Sequence, residues 1–303
     1  MIKQKVLIAG GTGFIGFHIA KKLLKLGYKL TSISTSKPKI TRKIREVKYI
    51  TCDVTKKKIF NSKLKENFDY VINLSGYIDH SNKIKTLRSH YQGSKNLVDF
   101  FLKKKIKLFL QIGSSLEYGN KKSPQHETFS CRPRSNYGLA KLKATKHLYK
   151  MGKKFNFPFI ILRLYQIYGP NQTINRLIPI AISSCLNDKS FACTPGAQYR
   201  DYLYIDDLVN LICKILKNKT KKQKIYNVGS GKPFLVKKVI ILIQKIIGKG
   251  NPLFGKISMR KDEIKILYPN INRIKKTFKW KPRTPIKTGL RKTILSYEKS
   301  ISK

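Results

Sequence analysis

The sequence predicts an α/β protein: a doubly wound parallel β-sheet followed by a smaller C-terminal lobe. Two observations carry that reading. Short apolar runs alternate with longer stretches of helical periodicity through the first half of the chain, the pattern of a parallel sheet covered by helices on both faces. Gly10, Gly13 and Gly16 also form a G-x-x-G-x-x-G motif directly between the first apolar run and the first helical one.

Taken in order, Lys5 to Ala9 reads as a strand and Phe14 to Leu26 as a helix that stops at Gly27. Five more strands are expected at Lys29 to Ile33, Val47 to Ile50, Tyr70 to Leu74, Lys107 to Ile112 and Phe159 to Leu164. Helical patterns cover Lys83 to Lys104 and Tyr137 to Lys154. After Tyr168-Gly169-Pro170 the alternation loosens. Helices are expected at Asn175 to Asn187, Asp206 to Lys217, Val236 to Ile247 and Lys287 to Tyr297, with short strands near Tyr202 to Ile205 and Ile225 to Val228. The division this implies is a sheet domain over residues 1–165 and a smaller lobe over 166–303, with a segment near 200–217 returning to the sheet. There is no fixed-period repeat and no flexible linker, so the two lobes are expected to enclose a cleft.

A chain of 303 residues, 41% of them hydrophobic, can bury a substantial core. Its five cysteines are odd in number, widely spaced and lack a C-x-x-C pair. That fits free thiols in a reducing, cytoplasmic compartment, with no metal site. The apolar run Val6 to Ala9 is broken at once by glycine, so it is neither a signal peptide nor a membrane span. Val236 to Ile247 carries Lys237, Lys238, Gln244 and Lys245 and reads as an amphipathic helix on a core, with no membrane role. The net charge of +50 comes from 65 Lys and Arg against 15 Asp and Glu. It would suit nucleic acid, but the lysines are scattered through every segment without interleaved aromatics. A compositional bias is the better reading, and no nucleic-acid partner is expected. The excess charge still attracts an anionic nucleotide substrate.

Glycines in a strand–helix turn allow positive φ and let the backbone approach a pyrophosphate, while the helix N-terminus offers free N–H groups. Gly10, Thr12, Gly13, Phe14, Ile15 and Gly16 are therefore expected to hold a dinucleotide in a Rossmann-type site. An acid at the end of the second strand marks NAD, because it accepts from the ribose hydroxyls. Here Ser34 stands in that place, and Lys37, Lys39 and Arg42 follow. Nothing repels a 2′-phosphate, so NADP is expected ahead of NAD. Asp53, followed by Val54, either accepts from the adenine amino group or caps a turn.

Tyr137 and Lys141 are four residues apart, so a helix puts both on one face. A phenol is a weak base at neutral pH, and a neighbouring ammonium stabilises its phenolate. The fifth strand runs into Gly113-Ser114-Ser115-Leu116-Glu117-Tyr118-Gly119. A hydroxyl at the carboxyl end of a parallel strand lies where such folds bind ligands, or else caps the next element.

These motifs occur in order with Cys52-Asp53-Val54, Arg163, Tyr168-Gly169-Pro170, Arg200-Asp201-Tyr202-Leu203-Tyr204-Ile205-Asp206-Asp207, Tyr226-Asn227-Val228-Gly229-Ser230-Gly231 and Trp280-Lys281-Pro282. From about residue 5 to about residue 295 the chain resembles the extended short-chain dehydrogenase/reductase family, also called the NAD-dependent epimerase/dehydratase family. The resemblance implies an enzyme acting on a nucleotide-activated sugar. Ser114 would be the active-site hydroxyl, with Ser115 beside it touching substrate, Tyr137 the acid/base and Lys141 its partner. Arg200 would clamp the diphosphate, as suits a bidentate guanidinium. Asn175, Arg176 and Arg260 lie at positions of further substrate contacts, and Asn227 reads as structural. Leu74, in Asn73-Leu74-Ser75-Gly76, would lie beside the cofactor. A homodimer built on the helices over 83–104 and 137–154 is implied as well.

The departures narrow the reaction. Sugar-nucleotide 4,6-dehydratases carry Asp-Glu directly after the active-site hydroxyl, where this chain has Ser115 and Leu116. Leucine cannot transfer a proton, which argues against dehydration. His90 and Gln166 stand where the family often has Asn. Leu177-Ile178-Pro179, Cys185-Leu186-Asn187, Arg200-Asp201 and Arg260-Lys261-Asp262-Glu263-Ile264 are similar to reductases of the CDP-abequose synthase kind. A reductase of a 4-keto sugar nucleotide that consumes NADPH is the first expectation. A redox-neutral nucleotide-sugar 4-epimerase is the second. A non-catalytic NADP sensor ranks lower, because both Tyr137 and Lys141 are present.

Overall fold

The computed structural model describes residues 3–79, 81–218, 224–260 and 263–301. Lys261 and Asp262, part of one motif above, lie outside the described residues. The described chain runs β1 (Lys5–Ala9), α1 (Phe14–Lys25), β2 (Lys29–Ser34), β3 (Lys48–Thr51), α2 (Lys57–Lys63), β4 (Tyr70–Asn73), α3 (Lys83–Leu87), α4 (Gly93–Phe101), β5 (Leu108–Ser114), α5 (Asn136–Phe155), β6 (Phe159–Leu164) and β7 (Gln166–Tyr168). It continues through α6 (Leu177–Leu186), β8 (Ser190–Cys193), β9 (Tyr199–Tyr204), α7 (Ile205–Lys217), β10 (Lys224–Val228), β11 (Pro233–Leu235), α8 (Val236–Ile247), β12 (Asn251–Phe254), β13 (Ile266–Leu267), α9 (Asn272–Phe278) and α10 (Ile286–Ile301). A wide π-type turn over Arg88–Gln92 joins α3 to α4, where the sequence suggested one helix.

The chain forms two compact units. One comprises residues 1–121, 127–164 and 209–227; the other comprises 122–126, 165–208 and 228–303. The first carries a seven-stranded sheet in the order β10-β6-β5-β4-β1-β2-β3. The pairings β3–β2, β2–β1, β1–β4, β4–β5 and β5–β6 are parallel. Every residue of β4, β5 and β6 is buried. This is why these strands read as largely apolar runs rather than alternating ones. Strand order reverses between β1 and β4, and in such sheets ligands bind beyond the carboxyl ends of the strands at that reversal. Residues Ala9–Gly10 and Asn73–Leu74 stand there. Helices α4 and α5 cover the sheet with Leu97, Phe101 and Leu148 packed on Val71, Phe109 and Ile161. Each such side chain contributes roughly 1.5–3 kcal/mol by its burial.

In the second unit β9 is the centre of a small sheet, antiparallel to β11 and parallel to β13 and β7. A separate parallel pair joins β8 to β12. Helix α8 has the expected amphipathic form, burying Val236, Val239, Ile240 and Ile243. The Asp207 carboxylate accepts from the amides of Arg283 and Thr284, and its carbonyl accepts from the Trp280 indole, which explains the Asp-Asp and Trp-Lys-Pro motifs as structural clamps. Among the described residues no helix is long and apolar enough to cross a membrane.

Candidate active site

The glycines of the β1–α1 turn have three different physical reasons. Gly10 has φ +82°, and a Cβ there would lie 2.9 Å from the Leu74 backbone. A Cβ on Gly16 would lie 2.6 Å from the Gly10 carbonyl oxygen and the Gly11 Cα, so the approach of helix to strand requires glycine. Gly13 is different: its φ is −76°, and a Cβ would meet only the Gly10 oxygen, at 3.3 Å. The protein itself demands glycine less strongly at 13, where the Gly10 oxygen would have to give by a few tenths of an ångström, whereas a pyrophosphate approaching the backbone needs the space outright. Gly13 is also the N-cap of α1, with no side-chain cap and no acidic residue in the first turn, leaving the helix N-terminus open to an anion. Thr12, Gly13, Phe14 and Ile15 are part-exposed around it, and Gly16 is buried. These residues fit a dinucleotide.

Beyond the end of β2, a cavity of about 380 Å³ is lined by Thr12, Ser34, Ser36, Lys37, Lys43 and Tyr49 together with apolar groups. Thr12 donates to Ser34 Oγ at 3.0 Å, and Ser34 donates to the Ile33 carbonyl at 2.8 Å. The lining has hydroxyls and ammoniums but no carboxylate. After β3, Asp53 accepts from the Thr55 amide at 2.9 Å, so its turn-capping role is realised. Val54 is buried where a Cβ on Gly93 would reach it, and Asn96 binds the Val54 carbonyl.

Ser114 ends β5, 6% exposed. Its Oγ accepts from the Leu116 amide at 3.2 Å, capping a 3₁₀ turn over Ser115–Glu117. The capping reading is therefore also realised, with one Ser114 lone pair engaged by the Leu116 amide. Ser135 caps α5 by accepting from the Gly138 amide, which starts the helix just before Tyr137. The Lys141 ammonium lies 5.6 Å from the Tyr137 ring centroid and donates to the Ile112 carbonyl at 2.8 Å. That bond ties α5 to the strand that presents Ser114. Burial pushes the Lys141 pKa down to about 8, partly opposed by the charge of Glu117. The His90 ring packs edge-on against Tyr137, with centroids 4.8 Å apart. The structure thus brings Ser114, Tyr137 and Lys141 into one region of the first unit.

Two residues of this region had no assigned role in the sequence. Glu117 is fully buried, and Arg163 donates to its Oε2 through Nε at 3.0 Å and Nη2 at 2.8 Å. Thr145 of α5 donates to the same oxygen at 2.9 Å, and the Ser114 amide donates to Oε1 at 2.9 Å. The signal lay in β6: an arginine inside an otherwise apolar, fully buried strand needs a buried anion. Asn227, read as structural, accepts from the Tyr118 hydroxyl at 2.7 Å.

The candidate substrate residues Asn175, Arg176, Arg200 and Arg260 lie in the second unit. Asn175 and Arg176 are exposed just before α6, and Arg260 is exposed. Arg200, on β9, pairs with Glu263 and donates to the Tyr199 carbonyl at 2.7 Å. Its neighbour Asp201 is buried and accepts from the amides of Ser230, Gly231 and Lys232, fixing the Gly229–Gly231 turn.

The class follows from this assembly. The model of the NAD dependent epimerase/dehydratase family matches residues 6–229, and the chain belongs to that family. Among its relatives, CDP-abequose synthase of Salmonella typhimurium is 26% identical, over 95% of this chain and 97% of that protein. The dTDP-D-glucose 4,6-dehydratase of Dictyostelium discoideum is 32% identical, over 75% of this chain and 58% of that protein. The structure of UDP-glucose 4-epimerase from Thermotoga maritima with UDP-glucose has a TM-score of 0.93 at 22% identity, covering 98% of this chain and 100% of that one. UDP-glucuronic acid 4-epimerase from Bacillus cereus, in complex with UDP-glucuronic acid and NAD, gives 0.88 at 23%, with the same coverage. At these identities the solved structures define the fold, an α/β sheet of Rossmann type.

Proposed function

We propose that this chain is an NADPH-dependent reductase of a 4-keto, 6-deoxy hexose nucleotide. The observation that carries the chemistry is a buried lysine ammonium 5.6 Å from the Tyr137 ring, on the helix beside the Ser114 strand end. The acid-free cavity beyond β2 supports NADP over NAD, and the likeness to CDP-abequose synthase supports reduction.

Gly10, Thr12, Gly13, Phe14, Ile15 and Gly16 hold the pyrophosphate of the cofactor. Ser34 and Lys37 take its 2′-phosphate, and Asp53, Val54 and Leu74 border the adenosine. When bound, the nicotinamide supplies the hydride that the ketone carbon receives. Ser114 has a lone pair engaged by the Leu116 amide, so its hydroxyl proton is free to point at the substrate oxygen. Tyr137 gives that oxygen a proton as it becomes a hydroxyl, and Lys141 stabilises the phenolate left behind. One ketone, one NADPH and one proton become one alcohol and one NADP. Arg200 binds the diphosphate, exchanging Glu263 for it, while Ser115, Asn175, Arg176 and Arg260 touch the rest of the nucleotide sugar.

The test is incubation with NADPH and CDP-4-keto-6-deoxyglucose. Loss of NADPH absorbance equal to the alcohol formed is expected. Interconversion of two nucleotide sugars with no net NADPH loss would make the chain a 4-epimerase using the same residues. Tight NADPH binding with no turnover of either kind would make it a sensor.

A further inference from the structure

We infer that Glu117 is a positioning residue whose one buried carboxylate sets the Ser114 backbone and braces α5 one turn beyond Lys141, with Arg163 as its counter-ion. The inference rests on Ser114, Tyr137 and Lys141 being the reacting groups. Three elements meet on this carboxylate. The end of β5 reaches it through the Ser114 amide, α5 through Thr145, one turn beyond Lys141, and β6 through the Arg163 guanidinium. The chain makes room for it: a Cβ on Gly113 would lie 2.6 Å from Glu117 Oε1, so the strand carries glycine where the carboxylate folds back.

Stability alone does not account for the arrangement. Glu117 and Arg163 are 0% and 2% exposed, and an ion pair taken fully out of water gains little over apolar residues of the same volume. What a fixed charge supplies, and leucine does not, is a rigid anchor and a field. The Ser114 amide has its direction set by Glu117, so the hydroxyl is aimed before substrate arrives. Lys141 has Glu117 as the one cause that raises its proton affinity against burial. Among the described residues, the other charged or titratable groups around the cluster include Tyr137 on the same helix, His90 against the Tyr137 ring, Tyr118 and Cys131 beside Arg163, Lys146 near Cys131, and Glu127 near Tyr118.

The experiment compares wild type with Glu117→Gln in the full-length protein, following the ¹³C resonance of the Lys141 side chain against pH and the kinetics of NADPH-dependent reduction. Loss of the carboxylate charge is expected to move the Lys141 midpoint down by about one pH unit. The alkaline limb of kcat should move with it, and kcat should fall by about tenfold to a hundredfold, with KM nearly unchanged. Glu117→Asp keeps the charge and should restore most of the midpoint. A merely structural carboxylate would lower Tm and leave the midpoint and the limb where they are, which overturns the inference. Should Glu117→Gln fail to fold, Thr145→Val cuts only the tie to α5. A severalfold loss of kcat at constant KM supports the inference, and full activity overturns it. Tyr137→Phe separates the two readings. If it is inactive while Glu117→Gln keeps wild-type kcat and midpoint, the positioning role fails alone. If Tyr137→Phe turns over normally, Ser114, Tyr137 and Lys141 are not the reacting groups.

Discussion

In the first unit the chemical groups are wired in before any ligand arrives: Ser114 and Lys141 are 6% and 4% exposed, and each is hydrogen-bonded to the frame around it. In the second unit the groups assigned to recognition are loosely held. Asn175, Arg176 and Arg260 are exposed, and Arg200 is held by Glu263 and the neighbouring Tyr199 carbonyl. The contrast follows from what each set does. Charge developing during reaction is stabilised by dipoles and charges already fixed in a water-poor site, because reorganising them at that moment costs rate. A diphosphate can itself order the side chains that bind it, at a cost that appears in affinity. Damage in the first region should therefore appear in kcat, and damage in the second in KM.

The strongest way to break that contrast is Lys141→Met. It should lower kcat by about a hundredfold or more, within the range for a group assisting proton transfer. The fold should not suffer, because burial holds the Lys141 pKa at about 8 against 10.5 for an ordinary lysine. A depressed lysine pKa means the unfolded chain binds the proton more tightly, so this group destabilises the native state below about pH 8. Its cost is relieved as pH rises from about 8 to 10.5. Raising the pH over that interval should thus stabilise wild type relative to Lys141→Met by about 3 kcal/mol, and Lys141→Met should match or exceed wild-type Tm at pH 7. Thermal melts across that interval check both signs.

Arg200→Met should raise KM for the nucleotide sugar by about ten- to a hundredfold, the worth of a lost charge-assisted contact, with kcat changed far less. An equal fall in kcat would erase the distinction between the two regions. Within the first unit the glycine turn sharpens it further. Gly13→Ala should lower Tm less than Gly16→Ala does yet weaken NADPH binding by about tenfold, because within the protein its Cβ meets only the Gly10 oxygen, at 3.3 Å. Gly16→Ala meets backbone at 2.6 Å and should instead cost about 2 kcal/mol of stability. The smallest expected effect is on cofactor choice. Ser34→Asp should lower the preference for NADPH over NADH by about tenfold, by placing a carboxylate where a 2′-phosphate is expected.

Much of this was legible in the sequence because the signals were periodic or sterically forced. Strands β1, β4 and β6 read as largely apolar runs because both faces are covered, and Phe14–Lys25 showed the helical period plainly. Strands β8, β11, β12 and β13 left no trace. They are two to four residues long, two of them contain proline, and their pairing is imposed by tertiary neighbours rather than by any local pattern. The candidate site was legible wherever spacing carried geometry, as with Tyr137 and Lys141 on one helical face. Glu117 was not, since a glutamate in a polar turn ordinarily faces water, and only its partner across 46 positions, Arg163, reveals that it is buried.

The most direct test of the central claim is Tyr137→Phe, which removes a single hydroxyl and leaves the ring packed against His90. With NADPH and the 4-keto nucleotide sugar, kcat should fall by about a thousandfold at nearly unchanged KM and Tm. Turnover within a few fold of wild type would contradict it.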